Sequence, residues 1–128
     1  MKLLAKANNR ILLSLLAVLL APVAVRADTV DKLADLEGYY VLKVKTIEGW
    51  VDKDSKTKNT GFEGCDWDRK IIFDDGTFVT CSSYSYHYAY RPKAALFAKP
   101  MSHNGTSFYS IKMLVDSDVY DMGVELGK

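Results

Sequence analysis

Four tyrosines occupy alternate positions in one short stretch of the chain. They are Tyr84, Tyr86, Tyr88 and Tyr90, and Arg91 follows the last of them. In an extended chain alternate side chains point to the same side, so the spacing predicts one aromatic row. Each tyrosine offers a rigid flat ring and a hydroxyl, which suit contacts with sugars, peptides and protein surfaces. The row is therefore the first candidate for a binding surface, and Arg91 could add a charged or stacking contact at its end.

The same alternation also fits a purely structural role, in which the rings pack as cross-strand pairs. Four phenol hydroxyls are difficult to bury in a small core because each one needs a hydrogen-bond partner. That cost favours at least partial exposure. The intervening residues are small or polar and could lie against solvent on the opposite side: Ser83, Ser85, His87 and Ala89. The sequence leaves open whether the row faces inward or outward.

A second candidate contact surface surrounds Trp67, which stands between Asp66 and Asp68. The two carboxylates with His87 also suggest an alternative function, acid–base catalysis in a small cell-envelope hydrolase. No nucleophile motif of a serine hydrolase is present, so the sequence favours a non-enzymatic interaction module that binds a protein, peptide or glycan. A third alternative is a structural envelope component that assembles through an exposed strand edge.

The pattern of acidic and histidine residues predicts no metal site and no cofactor. Asp52, Asp54 and Glu63 resemble three positions of a calcium-binding loop, but Thr57 stands where the turn of that loop requires glycine. The chain has only two histidines, whereas a zinc site normally takes three or four protein ligands.

The two cysteines, Cys65 and Cys81, are the only ones in the chain. Outside the cytosol an even cysteine count is typical of disulfides, and two cysteines allow a single intramolecular pairing. Closing a loop of about 15 residues contributes roughly 3 kcal/mol in the chain-entropy model. We therefore predict a Cys65–Cys81 disulfide.

The first 27 residues have the parts of a secretory signal peptide. Basic residues at the start precede an uncharged apolar run at residues 11–21, and small residues precede a cleavage point after Ala27. The apolar run is short for a membrane span of about 20 residues. Cleavage would leave residues 28–128 as a single small domain in the periplasm or outside the cell, with no stable membrane span.

Removal of the signal peptide would also change the charge. The whole chain holds 17 basic and 16 acidic residues, of which residues 1–27 hold four basic and no acidic ones. The remaining domain has 13 basic against 16 acidic residues and a net charge of −3. A mildly acidic domain without a basic cluster is a poor nucleic-acid binder.

The rest of the domain predicts a mainly β fold. A short helix is expected at residues 28–37, then a half-buried strand at residues 39–47 with Tyr40, Leu42 and Val44 on one face. A polar loop is expected at residues 48–60, and the Asp75-Gly76 pair predicts a tight hairpin. A further loop is expected at residues 100–107. Five to seven short strands in about 100 residues suggest a small antiparallel β barrel, SH3-like or OB-like, with a small β sandwich as the alternative.

Overall fold

A computed structural model describes the backbone of residues 28–127 and the side chains of residues 29–123. The predicted signal peptide at residues 1–27 lies outside the described residues. The described part is mainly β, as predicted. Its elements are the helix α1 (Asp28–Ala34) and the strands β1 (Tyr40–Val51), β2 (Asn59–Thr60), β3 (Lys70–Phe73), β4 (Phe78–Cys81), β5 (Lys93–His103), β6 (Thr106–Val115) and β7 (Asp118–Gly127).

The seven strands form one antiparallel sheet in the order β2-β1-β3-β4-β7-β6-β5. The long strand β1 has two partners, because residues 47–51 pair with β3 whereas residues 40–46 pair with β5. Strand pairing therefore runs from β1 through β3, β4, β7, β6 and β5 and returns to β1.

One hydrophobic core lies on the inner side of this sheet. Strands β3 to β7 contribute alternate residues to it, as expected for strands with one buried face. Phe62, from the loop after β2, packs edge-on against Tyr120 with the ring centroids 5.5 Å apart. The largest fully buried side chains are Tyr120, Phe62, Phe73, Ile47, Ile71, Leu96, Met113, Val79 and Val115.

The first half of β1 differs from its prediction. Tyr40, Leu42 and Val44, predicted to lie on one face of a half-buried strand, are all exposed. A register shift between Val41 and Lys43 inserts Leu42 as a bulge in the pairing with β5, so the residues before and after it do not follow one alternation. The same strand runs four residues beyond its predicted end, through the start of the expected loop at residues 48–60.

The prediction of a loop at residues 100–107 is wrong. β5 continues to His103 and β6 begins at Thr106, and the two strands stay paired up to that turn. Asn104 and Gly105 both have positive φ angles, 48° and 76°, as a two-residue hairpin loop with a type I′ turn requires. Residues 99–103 and 106–110 thus form a two-stranded extension of the sheet.

The predicted disulfide between Cys65 and Cys81 is confirmed, with a Cα–Cα distance of 5.6 Å. A turn at residues 66–69 folds the chain back so that Cys65 reaches β4, and Asp68 takes a φ of 61° in it. The turn is fixed to β4 by two backbone hydrogen bonds. The amide of Cys81 donates to the carbonyl of Arg69 at 2.8 Å, and the amide of Asp68 donates to the carbonyl of Cys81 at 3.1 Å. A disulfide fits a protein of an oxidising compartment.

Candidate binding surface

The residues between β4 and β5, 82–92, carry the four tyrosines, and we call them the tyrosine segment. Tyr84, Tyr86, Tyr88 and Tyr90 are each between 64% and 73% exposed. The alternation predicted from the sequence is therefore present, and the question it left open is answered, because the row faces outward. None of the four rings belongs to the core.

The tyrosine segment is extended but is not a regular strand. It pairs with residues 62–65 through two isolated antiparallel bridges, Cys65 with Ser85 and Phe62 with Ala89. In each bridge both backbone amides donate, over 2.8 and 3.0 Å in the first and 3.0 Å twice in the second. The pairing cannot continue as a regular ladder, because the two bridges are four residues apart in the tyrosine segment but three residues apart in residues 62–65.

Gly64 allows the two backbones to approach closely. Its φ is +80°, a conformation that side chains other than glycine rarely adopt. A Cβ placed there would stand 2.0 Å from the carbonyl oxygen of Ser85 and 2.7 Å from the amide nitrogen of His87. The position next to the disulfide thus requires glycine for the tyrosine segment to lie where it does.

The opposite side of the tyrosine segment turns toward the protein. Its most specific contact is His87, whose Nε2 lies 2.7 Å from Oδ2 of Asp116 and whose Nδ1 lies 3.5 Å from Oδ2 of Asp118. The imidazole also stands 6.3 Å from the ring of Phe62, between centroids. Ala89 packs against the core. The suggestion that this side lies against solvent is therefore wrong for these two residues.

Both ends of the tyrosine segment are also held by backbone hydrogen bonds. At its start the amide of Ser82 donates to the carbonyl of Asp121 in β7 at 3.0 Å, and at its end Pro92 accepts from the amide of Ile47 in β1 at 2.9 Å. The four tyrosines thus project from a backbone that is attached to β1, β7 and the disulfide loop.

Arg91 and Trp67, the other predicted contact residues, lie toward opposite ends of the tyrosine segment. Trp67 is exposed in the turn after Cys65, which pairs with Ser85. Arg91 is exposed, with a φ of 43°. The pKa of the Glu48 carboxyl is lowered mainly by its hydrogen bond to Lys58, and the charge of Arg91 adds a smaller effect in the same direction. Arg91 directly precedes Pro92, whose carbonyl accepts a hydrogen bond from the amide of Ile47, so Arg91 lies beside β1.

The structure does not bring together the residues of the hydrolase alternative. His87 binds Asp116 and Asp118, whereas the Asp68 carboxylate forms a salt bridge with Lys53 at 2.8 Å. The Asp66 carboxylate accepts a hydrogen bond from the backbone amide of Trp67.

Asp116 and Asp118 are the contact residues that sequence reasoning missed. Asp116 lies in the turn between β6 and β7, and Asp118 is the first residue of β7. His87 is 29 residues from Asp116 in the chain, and no local pattern signals a contact over that separation.

Among the side chains that the structure describes, those of residues 29–123, no group of three histidine, cysteine or acidic residues is placed to hold a metal ion. Within the same residues, no helix has the length and apolar character needed to cross a membrane. No protein-family model, curated protein or solved structure matches this chain.

Proposed function

We propose that this protein is a non-enzymatic binding module that uses the tyrosine row to hold an extended partner, a protein segment, a peptide or a glycan. The observation that carries the proposal is the outward projection of all four tyrosines from one anchored backbone. Exposed large aromatic side chains in a row are unusual on a protein with no partner, because they leave apolar area in contact with water.

The shape of the row favours a narrow, extended ligand. An extended chain rises about 3.3 Å per residue, so the six steps from Tyr84 to Tyr90 span about 20 Å. Within residues 82–90 the only ionisable side chain besides the phenols is His87, and that side chain is bound to Asp116. An uncharged strip with four hydroxyls suits a partner that offers apolar faces together with hydrogen-bonding groups.

Binding a partner to the tyrosine row costs less conformational entropy than binding it to a flexible loop would. Two bridges, the disulfide and the His87 contact already hold the backbone, so binding needs to order mainly the rings. Immobilising one such side chain costs about 0.5–1.5 kcal/mol, which the contact area of a tyrosine can offset.

We also propose that residues 1–27 are a signal peptide cleaved after Ala27, and that the domain acts in the periplasm or outside the cell. The order of basic start, apolar run and small residues supports this, and the disulfide fits the same compartment. Mass spectrometry of the mature N-terminus tests it. A chain that keeps residues 1–27 in the exporting host contradicts it.

We infer in addition that the sheet closes as a small β barrel of the SH3-like or OB-like kind. The return of strand pairing to β1 supports closure, since a ring of paired strands leaves fewer free edges. Cross-strand amide contacts from β1 to both β3 and β5 in one sample, measured by NMR, check this inference. Contacts to only one of the two strands would count against it.

Paired substitutions test the binding function. The variant Y86S/Y88S removes the two central rings, and because both are exposed it should fold as the wild type does. Y40S/Y109S is a matched control, since Tyr40 and Tyr109 are exposed tyrosines outside the tyrosine segment.

The purified proteins are applied to a glycan array and to a displayed peptide library. We expect Y86S/Y88S to weaken binding of the selected ligand about tenfold or more, while the control keeps it. A folded Y86S/Y88S that binds as tightly as the wild type contradicts the proposal, as does equal loss in both variants.

A further inference from the structure

A second surface feature lies outside the tyrosine segment, where β1 separates from β3. Residues 40–46 of β1 pair with β5 on one side, and their other edge faces the hairpin of β3 and β4 across a gap. A pocket of about 230 Å³ occupies this gap. Its lining residues are Leu42, Lys43, Lys45, Phe73, Thr77, Phe78 and Leu96.

Polar contacts hold the two walls of this pocket together. The backbone amide of Asp74 donates to the carbonyl of Thr46 at 3.0 Å. Lys45 Nζ reaches across the gap to Oδ2 of Asp75 at 2.8 Å and to the hydroxyl of Thr77. The β3–β4 turn is thus attached to β1 beside the pocket, so the pocket belongs to the folded framework rather than to a free loop.

The inner part of the pocket is apolar. Phe73 and Leu96 form its floor and are only 1% and 2% exposed, while Leu42 and Phe78 stand at its side. If each water-sized group occupies about 30 Å³, the volume accommodates roughly eight such groups. An occupant with a short hydrocarbon body would gain free energy by leaving water for this surface.

The two lysines at the pocket differ in their partners. Lys45 is already paired with the Asp75 carboxylate. Lys43 stands opposite the buried Leu96 in the strand register, so its side chain starts on the inner face. Lys43 forms no salt bridge with any side chain that the structure describes. The pocket therefore combines buried apolar residues with one lining lysine, Lys43, that forms no salt bridge with a described side chain.

We propose that this pocket binds a small amphipathic carboxylate, with a hydrocarbon body of about six to eight carbons against Phe73 and Leu96 and the carboxylate at Lys43. A neutral alkyl compound would gain the apolar contact but not the ion pair. An alkyl amine would bring its positive charge next to Lys43 and be repelled. The volume excludes a whole protein element such as a helix, whose diameter is about 10 Å.

Titration with matched eight-carbon probes tests the proposal. Octanoate, 1-octanol and octylamine are each added to the purified ¹⁵N-labelled protein, and amide shifts are followed by NMR. We expect saturable shifts in the lining residues, with octanoate bound about tenfold more tightly than octanol and octylamine weakest. Octanol equal to octanoate, or shifts that spread over the surface without saturating in the millimolar range, would overturn the proposal.

Substitutions then separate the charge from the apolar contact. K43E is expected to weaken octanoate binding about tenfold and to leave octanol unchanged, and K56E, at an exposed loop lysine, should change neither. L42W places a larger ring at the pocket side and should weaken both probes. Leu42 and Lys43 are both exposed, so L42W and K43E should fold. The dispersion of the amide signals in the same NMR spectra checks this. A folded K43E that binds octanoate as the wild type does overturns the assigned role of Lys43.

Discussion

The imidazole Nε2 of His87 lies 2.7 Å from the Oδ2 atom of Asp116, although the two residues are 29 positions apart. An ionised carboxylate can only accept hydrogen bonds, so the Nε2–H of His87 is the donor. The contact joins the middle of the tyrosine segment to the β6–β7 turn. Asp118, the first residue of β7 after this turn, also approaches Lys32 of α1, at 3.9 Å, so one pair of carboxylates contacts both the tyrosine segment and the helix.

Weakening this contact should loosen the tyrosine segment. In D116N the partner of His87 loses its charge, while asparagine tolerates the positive φ of 53° at this position. We expect hydrogen exchange at the amides of Ser85 and Ala89 to become about 1.4- to fivefold faster, as for the loss of a partly exposed polar contact of about 0.2–1 kcal/mol.

D54N is the control for this measurement, because Asp54 is an exposed loop carboxylate outside the tyrosine segment. Exchange rates at Ser85 and Ala89 that stay at the wild-type level in D116N would show that the His87 contact does not order the segment.

The close approach at Gly64 gives a second prediction. G64A and G76A both place a side chain at a φ near +80°, but a Cβ at Gly76 meets no atom within 4 Å. The conformational strain is therefore shared, at about 1–2 kcal/mol, and only G64A adds a clash with Ser85. We expect G64A to lower the free energy of unfolding by about 1–3 kcal/mol more than G76A does, measured by urea titration.

The two variants should also differ in where they act. G64A should shift the NMR signals of residues 83–89, because the tyrosine segment must move away from the new methyl group, and G76A should leave them in place. Equal stability and equal spectra for both variants would contradict the contact between Gly64 and the tyrosine segment.

Features with a local cause could be predicted from the sequence. The hairpin at Asp75-Gly76 and its two flanking strands were correctly placed, because Gly76 adopts a positive φ of 81° in the turn, which glycine does easily. The disulfide followed from the cysteine count together with the predicted compartment outside the cytosol. The Asn104-Gly105 turn has the same kind of signal, but Pro100 and the polar residues after it suggested a loop instead.

Features that depend on distant parts of the chain could not be predicted. Whether the tyrosines face inward depends on what lies behind the tyrosine segment, and residues 62–65 are about 20 positions earlier. The prediction that the side opposite the tyrosines faces solvent was wrong for His87, because its contact with Asp116 is not visible in the local sequence. In β1, the bulge at Leu42 reverses the faces that simple alternation predicts.

Removal of the disulfide should destabilise the whole domain. Cys65 and Cys81 are 16 positions apart, and a loop of that size contributes about 3 kcal/mol by restricting the unfolded chain. We expect C65A/C81A to lose roughly that amount in urea unfolding and to lose exchange protection at Ser85, which pairs with Cys65. Wild-type protein unfolded with a reductant present is the matched control and should show a similar loss. A loss below about 1 kcal/mol would contradict the stabilising role assigned to the bridge.

The Asp75 carboxylate should make stability depend on pH in the acid range. Hydrogen bonds from Lys45 and from the side chain and amide of Thr77 lower its pKa well below the ordinary value of 3.8. Because the pKa is lower in the folded than in the unfolded chain, the stabilisation is fully present above the unfolded value and is lost as the pH falls through the folded value. The melting temperature of the wild type should therefore exceed that of D75N by a constant amount between about pH 5 and 7. The difference between the two melting temperatures should shrink below about pH 4. The wild-type–D54N difference, for a carboxylate outside this turn, should not shrink in the same way, and a wild-type–D75N difference that stays constant in acid would refute the role of ionised Asp75.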